Sequence, residues 1–200
     1  MKIIPVILAA GNGQRAGSPK ALLKIGDQTF VRHILDEFRA AGLQDVIVVL
    51  GASAEDVAKE LADTGAITVV NSHYQEGQLS SVIAGVNASE QMRADAILLH
   101  PVDHPLIRHE LVETLVTCFR ETGAPLILPV FQGRRGHPVL FSAKLFSELK
   151  SAPPEIGARS VVWAHASEIV EVETQDEGVV ANINTPQDYE NLRSRLHRPA

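Results

Sequence analysis

Cysteine is nearly absent from this sequence: Cys118 is the single example. That excludes an intramolecular disulfide and a multi-cysteine zinc site. No apolar stretch approaches the roughly 20 residues needed to span a bilayer. The opening, MKIIPVILAAGNGQRAG, has too short an apolar run for a signal peptide and no small-residue cleavage site. A basic excess is missing too, since 18 Lys+Arg face 24 Asp+Glu for a net charge of −6. Nucleic acid and anionic membranes both reward basic surfaces, so neither is expected as a partner. Three catalytic signatures are also lacking. There is no Gly-x4-Gly-Lys-Ser/Thr loop and no Gly-x-Ser-x-Gly elbow around Ser80 or Ser81. The glycines of the first loop follow G-x-G-x-x-x-G, one residue too long for a dinucleotide fingerprint. Leu50-Gly51-Ala52-Ser53 then offers no acid for a ribose.

What is present is an ordinary globular composition, 45% hydrophobic and 21% charged over 200 residues. It reads as a single cytoplasmic domain, 1–200. Short apolar runs alternate with amphipathic stretches. Strands are expected at Ile3–Leu8, Val46–Leu50, Ile67–Val70, Ala96–Leu99 and Pro125–Pro129. Helices are expected over Phe30–Ala41 with Gly42 as its stop, Ala54–Leu61 with Ser53 available as its cap, Ser80–Ser89, and His109–Thr122. The alternation predicts an α/β fold with a parallel sheet covered by helices on both faces. After residue 130 the pattern loosens. Pro138–Phe141 reads as a strand, Leu145–Lys150 and Val161–Ala164 as short helices, and Ile169–Val172 as extended. Pro186–Leu196 reads as a closing helix.

Ligands of open parallel sheets bind beyond the carboxyl ends of the strands. Three loops fall there: residues 9–20, 71–81 and 100–105. The first carries Gly11, Gly13 and Gly17 with Arg15 and Lys20, which suits a phosphate because glycines let backbone N–H groups approach an anion. Residues 1–40 hold six Lys/Arg against three acids, so this segment is positive within an acidic chain. Asp103, between two prolines and facing that loop, suits Mg²⁺, which is usually held by one or two carboxylates plus substrate phosphates. The competing reading makes Asp103 a cap for the helix beginning near Arg108. His100 and His104 have metal-pair spacing, but Pro101 and Pro105 argue against a helix there and no third His or Cys is near in sequence. Tandem Ser80 and Ser81 suit caps or anion contacts. Gly133-Arg134-Arg135-Gly136-His137-Pro138 forms a second basic, glycine-flanked loop. Cys118 lies in an apolar helix beside Leu115 and Phe119, a core-packing position.

Leu8-Ala9-Ala10-Gly11-Asn12-Gly13-Gln14-Arg15-Ala16-Gly17-Ser18-Pro19-Lys20 resembles the L-A-[AG]-G-x-[GS]-x-R-x-G-x-x-K signature of the nucleoside-triphosphate transferases. Gly77-Gln78-Leu79-Ser80-Ser81, Val102-Asp103-His104-Pro105 and Arg135-Gly136-His137-Pro138 resemble the G-M-x-S-S, D-x-P and R-G-H-P segments of its molybdenum cofactor cytidylyltransferase branch. The resemblance runs from about residue 3 to 190. It implies a three-layer α/β/α Rossmann-like nucleotidyltransferase fold with a mostly parallel sheet, Mg²⁺ dependence, and CMP transfer from CTP to a phosphate-bearing acceptor such as molybdopterin. By the same resemblance, Arg15, Lys20 and Asp103 would be catalytic. Leu8, Ala9, Ala10, Gly11, Gly13, Lys20, Asn71, Ser80 and Ser81 would bind nucleotide. Arg135, Gly136 and His137 would face the acceptor. Ala10 matches the cytidylyl form, where the guanylyl form more often has glycine.

Two departures stand out. Asn182-Ile183-Asn184-Thr185-Pro186 replaces the branch's D-x-D-T-P and looks more like the guanylyl branch, leaving Asn184 to offer Mg²⁺ an amide oxygen beside Asp103. Gly13 and Ala16 stand where the branch often has serine and methionine. GTP, or a sugar or polyol phosphate acceptor, is therefore the same-chemistry alternative. A non-catalytic nucleotide sensor or cofactor-insertion chaperone is the alternative of another class. A molybdoenzyme or its chaperone would be the protein partner.

Overall fold

A computed structural model describes residues 1–11 and 19–196. Its centre is an eight-stranded sheet. Strand β1 (Ile3–Ala9) alternates its side chains between two separate apolar clusters. Ile3, Ile7 and Ala9 enter one; Ile4, Val6 and Leu8 enter the other. A strand covered on both faces needs a continuous apolar run, and all seven residues are buried.

Two short strands follow, β2 (Lys24–Ile25) and β3 (Gln28–Thr29), paired as an antiparallel hairpin outside the main sheet. The sequence pattern did not suggest this hairpin. Helix α1 (Phe30–Ala40) buries Phe30, Val31, Ile34, Leu35 and Phe38, the stripe its spacing predicts. The Thr29 hydroxyl caps its start by accepting from the Arg32 N–H. Gly42, at φ +82°, ends it, with the Leu43 N–H reaching back to the Phe38 carbonyl.

Strand β4 (Ile47–Leu50), helix α2 (Ala54–Leu61), strand β5 (Ile67–Val70), helix α3 (Gln78–Gln91), strand β6 (Ala96–Pro101), helix α4 (His109–Thr122) and strand β7 (Leu126–Phe131) continue the alternation. Two local expectations need correction. Ser53 precedes α2, but its side chain makes no capping bond. Helix α3 begins two residues before Ser80, so Ser80 and Ser81 lie inside its first turn and Gly77 holds the cap position.

From β7 a two-residue turn, Gln132 (φ +48°) and Gly133 (φ +74°), leads into β8 (Arg134–Arg135). Both central residues at positive φ match the twist of a tight antiparallel hairpin. Strand β9 (Val139–Ser142) then inserts between β6 and β7, antiparallel to both. The chain closes with α5 (Phe146–Ser151), α6 (Arg159–Ala164), β10 (Ile169–Glu173) and α7 (Pro186–Leu196). The sheet order is β10-β7-β9-β6-β1-β4-β5, with β8 on β7. Relative to β1, β9 and β8 alone among these eight run in reverse. The expected α/β class with a mostly parallel sheet is what the chain forms.

Helices α1, α2, α4 and α7 contribute to the cluster on one face, and α3, α5 and α6 to the cluster on the other. This is a three-layer α/β/α arrangement. Helix α3 lies close against the sheet because Gly85 has no side chain. A Cβ there would stand 2.4 Å from Val6 Cγ1. That close approach fixes where the first turn of α3 meets the ends of β1 and β6.

Candidate active site

The pairing of β1 with β6 places Leu8 beside Pro101, and the pairing with β4 places Ala9 beside Leu50. The loops after β1 and β6 therefore leave the sheet side by side at its carboxyl end. Between them and the first turn of α3 lies a cavity of about 380 Å³. Leu8, Ala9, Ala10, Gly11, Lys20, Ser81 and Asp103 line it, joined by Tyr74, Gly77 and Gln78. Gly13 and Arg15 lie outside the described residues.

Lys20 opens a short 3-10 turn, Lys20–Leu22, and its ammonium reaches across the cavity. It donates to Asp103 Oδ2 at 3.1 Å and to Asn184 Oδ1 at 2.6 Å. Residues 20, 103 and 184 are thus brought to one point from three distant parts of the chain. Two devices hold the Asn184 segment there. The Ile183 N–H donates to the Asp103 backbone carbonyl at 2.7 Å. Asp188, in the first turn of α7, accepts from the Asn184 and Thr185 N–H groups. Hydrogen bonds from Thr185, then from the Asn184 backbone, keep the Asp188 carboxyl below its ordinary range. Further along α7 the Tyr189 hydroxyl both donates to and accepts from the Lys24 backbone, each at 3.1 Å.

This geometry fits a divalent cation. A carboxylate oxygen and an amide oxygen converge on one positive group, so the lysine ammonium serves as a stand-in ion. Among the described residues, no group of three or more His, Cys, Asp and Glu is placed to hold a metal alone. Asp103 does not cap α4, whose cap position is Arg108.

Asn71 and Ser80 stand behind the cavity wall. The Asn71 amide is fully engaged, donating to Ser80 Oγ at 2.8 Å and Ser81 Oγ at 3.0 Å while its Oδ1 accepts from the His73 N–H. The Ser80 hydroxyl points to the His73 and Gly77 carbonyls. These contacts stiffen the turn that presents Tyr74, Gly77 and Gln78. Ala10 is buried against Gly51, where a Cβ would come within 2.8 Å of the Ala10 methyl.

A second cavity of about 540 Å³ adjoins the first. Its floor is apolar, including Leu79, Val82, Leu128 and Phe141, and Arg135, Gly136 and His137 form one wall. The opposite rim is the segment from Pro154 to Trp163, which the sequence reading did not assign to a site. Trp163 is 58% exposed although it is the only tryptophan, an unusual placement for a large apolar ring unless something covers it. Arg135 pairs with Glu171 at 2.7 Å, which draws part of its charge toward β10. Gly136 is required by space: a Cβ would sit 2.4 Å from the Val179 carbonyl oxygen.

His137 also meets His100 and His104. Ring centroids are 4.7 Å apart for His104–His137, 6.2 Å for His100–His104 and 6.3 Å for His100–His137. Each ring has a buried Nδ1 with no partner among the described residues. Burial pushes all three below the ordinary histidine range, His100 well below and His137 to about 4. They are neutral at pH 7. The sequence linked His100 to His104 and placed His137 on the acceptor-facing loop, but it did not bring the three together; that depends on the antiparallel return of the chain into β9.

The model of the MobA-like NTP transferase domain matches residues 5–169. The chain belongs to this family. It is a nucleotidyltransferase. A molybdenum cofactor guanylyltransferase of Shewanella woodyi is 28% identical, with 98% of each chain covered. Nicotine blue oxidoreductase of Paenarthrobacter nicotinovorans is 28% identical, with 94% of each covered. The crystal structure of Rv0371c from Mycobacterium tuberculosis H37Rv superposes with a TM-score of 0.83 at 26% identity, over 96% of this chain and 98% of that one. The same mycobacterial protein has been solved in complex with manganese. The MobA-like membership agrees with the expected fold and reaction class. Among the described residues no helix is long and apolar enough to cross a membrane.

Proposed function

We propose that this transferase moves CMP from CTP to the phosphate of molybdopterin and releases pyrophosphate. The observation that carries the reading is the convergence of Lys20, Asp103 and Asn184 on one point beside a glycine-bearing loop. Lysine, a carboxylate and an amide oxygen at the carboxyl end of a parallel sheet suit a triphosphate with its cation. Asp103 and Asn184 would hold Mg²⁺, which when bound offsets the negative charge of the phosphates. Lys20 would shift from the two oxygens to the leaving pyrophosphate. An acceptor phosphate is already ionised near neutral pH, so the protein's work is positioning and charge neutralisation rather than proton abstraction. Ala10 supports CTP, because alanine at this position of the first loop matches the cytidylyl form, where the guanylyl form more often has glycine.

GTP is the second reading. The Asn182-Ile183-Asn184 form supports it, as does the guanylyltransferase named among the relatives. For the acceptor, the exposed Trp163 ring on the lining of the 540 Å³ cavity supports a flat ring system, and Arg135 and Arg159 in the same lining suit a phosphate on it. An oxidoreductase is named among the relatives as well, but a lysine–aspartate–asparagine cluster is phosphate and metal chemistry rather than nicotinamide binding. The deciding experiment measures Mg²⁺-dependent pyrophosphate release from the four nucleoside triphosphates, with and without molybdopterin. Release with CTP only when molybdopterin is present supports the proposal. Release with GTP reassigns the base. Binding without release favours a sensor, and nicotinamide cofactor turnover would overturn the transfer reading.

A further inference from the structure

Outside both cavities, one side chain is tied from two directions. His165 directly follows α6, and only 19% of its side chain is exposed. Its Nε2 lies 2.8 Å from Glu148 Oε2 on α5. Its Nδ1 lies 2.7 Å from Glu168 Oε1, in the short 3-10 turn Ala166–Glu168 that leads into β10. An ionised carboxylate only accepts, so both ring nitrogens must donate, and a ring that donates from both is the imidazolium. We propose that His165 is a positioning residue for the acceptor. As a cation bridging Glu148 and Glu168 it holds the α6 rim of the second cavity in place, and it slackens that hold when it loses its proton. The proposal rests on reading the second cavity as the acceptor's.

The rim needs such a tie. Helix α6 has six residues, too few for a helix to stand on its own propensity. Val161 is its one buried residue. Arg159 and Trp163 of this helix line the cavity, and both are exposed. The elements on the other side of His165 are firmly seated by contrast. Helix α5 buries Phe146 and Leu149, and its Lys150 donates to both carboxylate oxygens of Glu90 on α3. Strand β10 pairs with β7 along its whole length. His165 is therefore where a lightly anchored rim meets the body of the sheet and its helices. It also holds the C-cap position of α6, where a positive charge is favoured by the free carbonyls of the last turn.

The charged groups facing the ring are Glu168, from the turn before β10, and Glu148, from α5. Lys150, also on α5, is committed to Glu90, and the only charged residue of α6 is Arg159 at its far end. Hydrogen bonds from Glu168 and then Glu148 outweigh burial and hold His165 above the ordinary histidine value of 6.5. As pH rises through that raised value the ring keeps one N–H. It then donates to a single carboxylate, and its other nitrogen turns a lone pair toward the second. One bond is lost and the other loses its charge. The hold is complete below pH 6.5 and fades in alkaline solution, the direction expected of a histidine raised in the folded state.

The test uses the full chain as wild type, His165→Arg and His165→Gln, each checked by thermal melting. Arginine keeps its charge and donates from a planar fork, so it can engage both carboxylates at every pH used. Glutamine is neutral and donates from one nitrogen only. Pyrophosphate release gives kcat and the molybdopterin KM from pH 6 to 9. Trp163, the only tryptophan, reports the rim without any substrate through time-resolved fluorescence anisotropy. Relative to His165→Arg, the wild-type KM should rise about three- to fivefold across this range, the span of one partly exposed ion pair, with kcat unchanged. The Trp163 anisotropy should fall over the same range in wild type, stay high in His165→Arg and be low throughout in His165→Gln. A wild-type anisotropy indifferent to pH overturns the inference. So does a wild-type KM that follows the same course as His165→Arg, since the acceptor's own ionisation acts on both alike. A wild type that releases no pyrophosphate with molybdopterin overturns the transfer reading and the acceptor role of the rim. The anisotropy then still decides whether His165 holds that rim.

Discussion

The two cavities sit side by side on one sheet edge but are built in opposite ways. The first cavity rises from parallel strands β1 and β6, and its polar groups converge on a single point. The second cavity rises from the stretch where β9 reverses direction, and it is a broader hollow that mixes apolar side chains such as Leu79, Val82 and Phe141 with Arg135, His137, Glu155 and Arg159. One half suits a charged group of fixed shape. The other offers both apolar contact area and dispersed charged groups. The difference teaches that the two cavities are built by separate pieces of chain, so under the proposed reading changes in one half should leave the other largely intact.

The largest effect should come from the charged point. Lys20→Met and Asp103→Asn should each reduce turnover by about 10²–10³-fold with the fold retained, the usual cost of removing a charge-stabilising contact. Circular dichroism beside pyrophosphate release checks this, and near-wild-type turnover in either folded variant would break the assignment of that half.

Acid should strike the second cavity next. The folded protein holds His137 at about 4, against an ordinary histidine value of 6.5, because the ring is buried. Between those values the unfolded chain binds a proton that the folded chain does not, so stability is complete above pH 6.5 and falls as pH drops toward 4. For His137 alone this amounts to about 3 kcal/mol. His100 and His104 are lowered by burial too and add in the same direction. Urea unfolding at pH 7.5, 6 and 5 should show the decline, and equal stability at pH 7.5 and 5 would contradict it.

Gly136→Ala should follow. The added methyl meets the Val179 backbone oxygen, which cannot move as a flexible side chain would. A destabilisation of about 1–3 kcal/mol is expected, read as a lower urea midpoint. The smallest effect should be that of Trp163→Ala. Loss of an exposed aromatic platform should raise the acceptor KM by about 5- to 10-fold, on the order of 1 kcal/mol. Nucleotide affinity should not change. If nucleotide affinity fell instead, the division between the two halves would not hold.

Legibility in the sequence followed the same division. Helix α1 was readable to its buried stripe and its glycine stop, because helical periodicity and the left-handed terminus are local properties. Asp103 and Lys20 were readable because strand ends in a parallel sheet predict where ligands bind. The short β2–β3 hairpin was not legible, since two-residue strands carry no period. Nor was the role of Asn71 as a brace, which depends on the serines that happen to face it. The rim at Trp163 was equally silent, because exposure is set by what fails to pack against a residue.

By itself the sequence determined the α/β class, the alternation of elements and the loops able to carry chemistry. Those follow from hydrophobic period and from the conformational needs of glycine and proline, which act over a few residues. Tertiary structure alone decided that β9 runs backward between β6 and β7, that His137 joins His100 and His104, and that Asn184 meets Lys20 across 164 positions. Such pairings depend on how whole layers pack. Strand direction and long-range contacts are set by the shared burial of both faces of the sheet, and no local stretch of sequence contains that information.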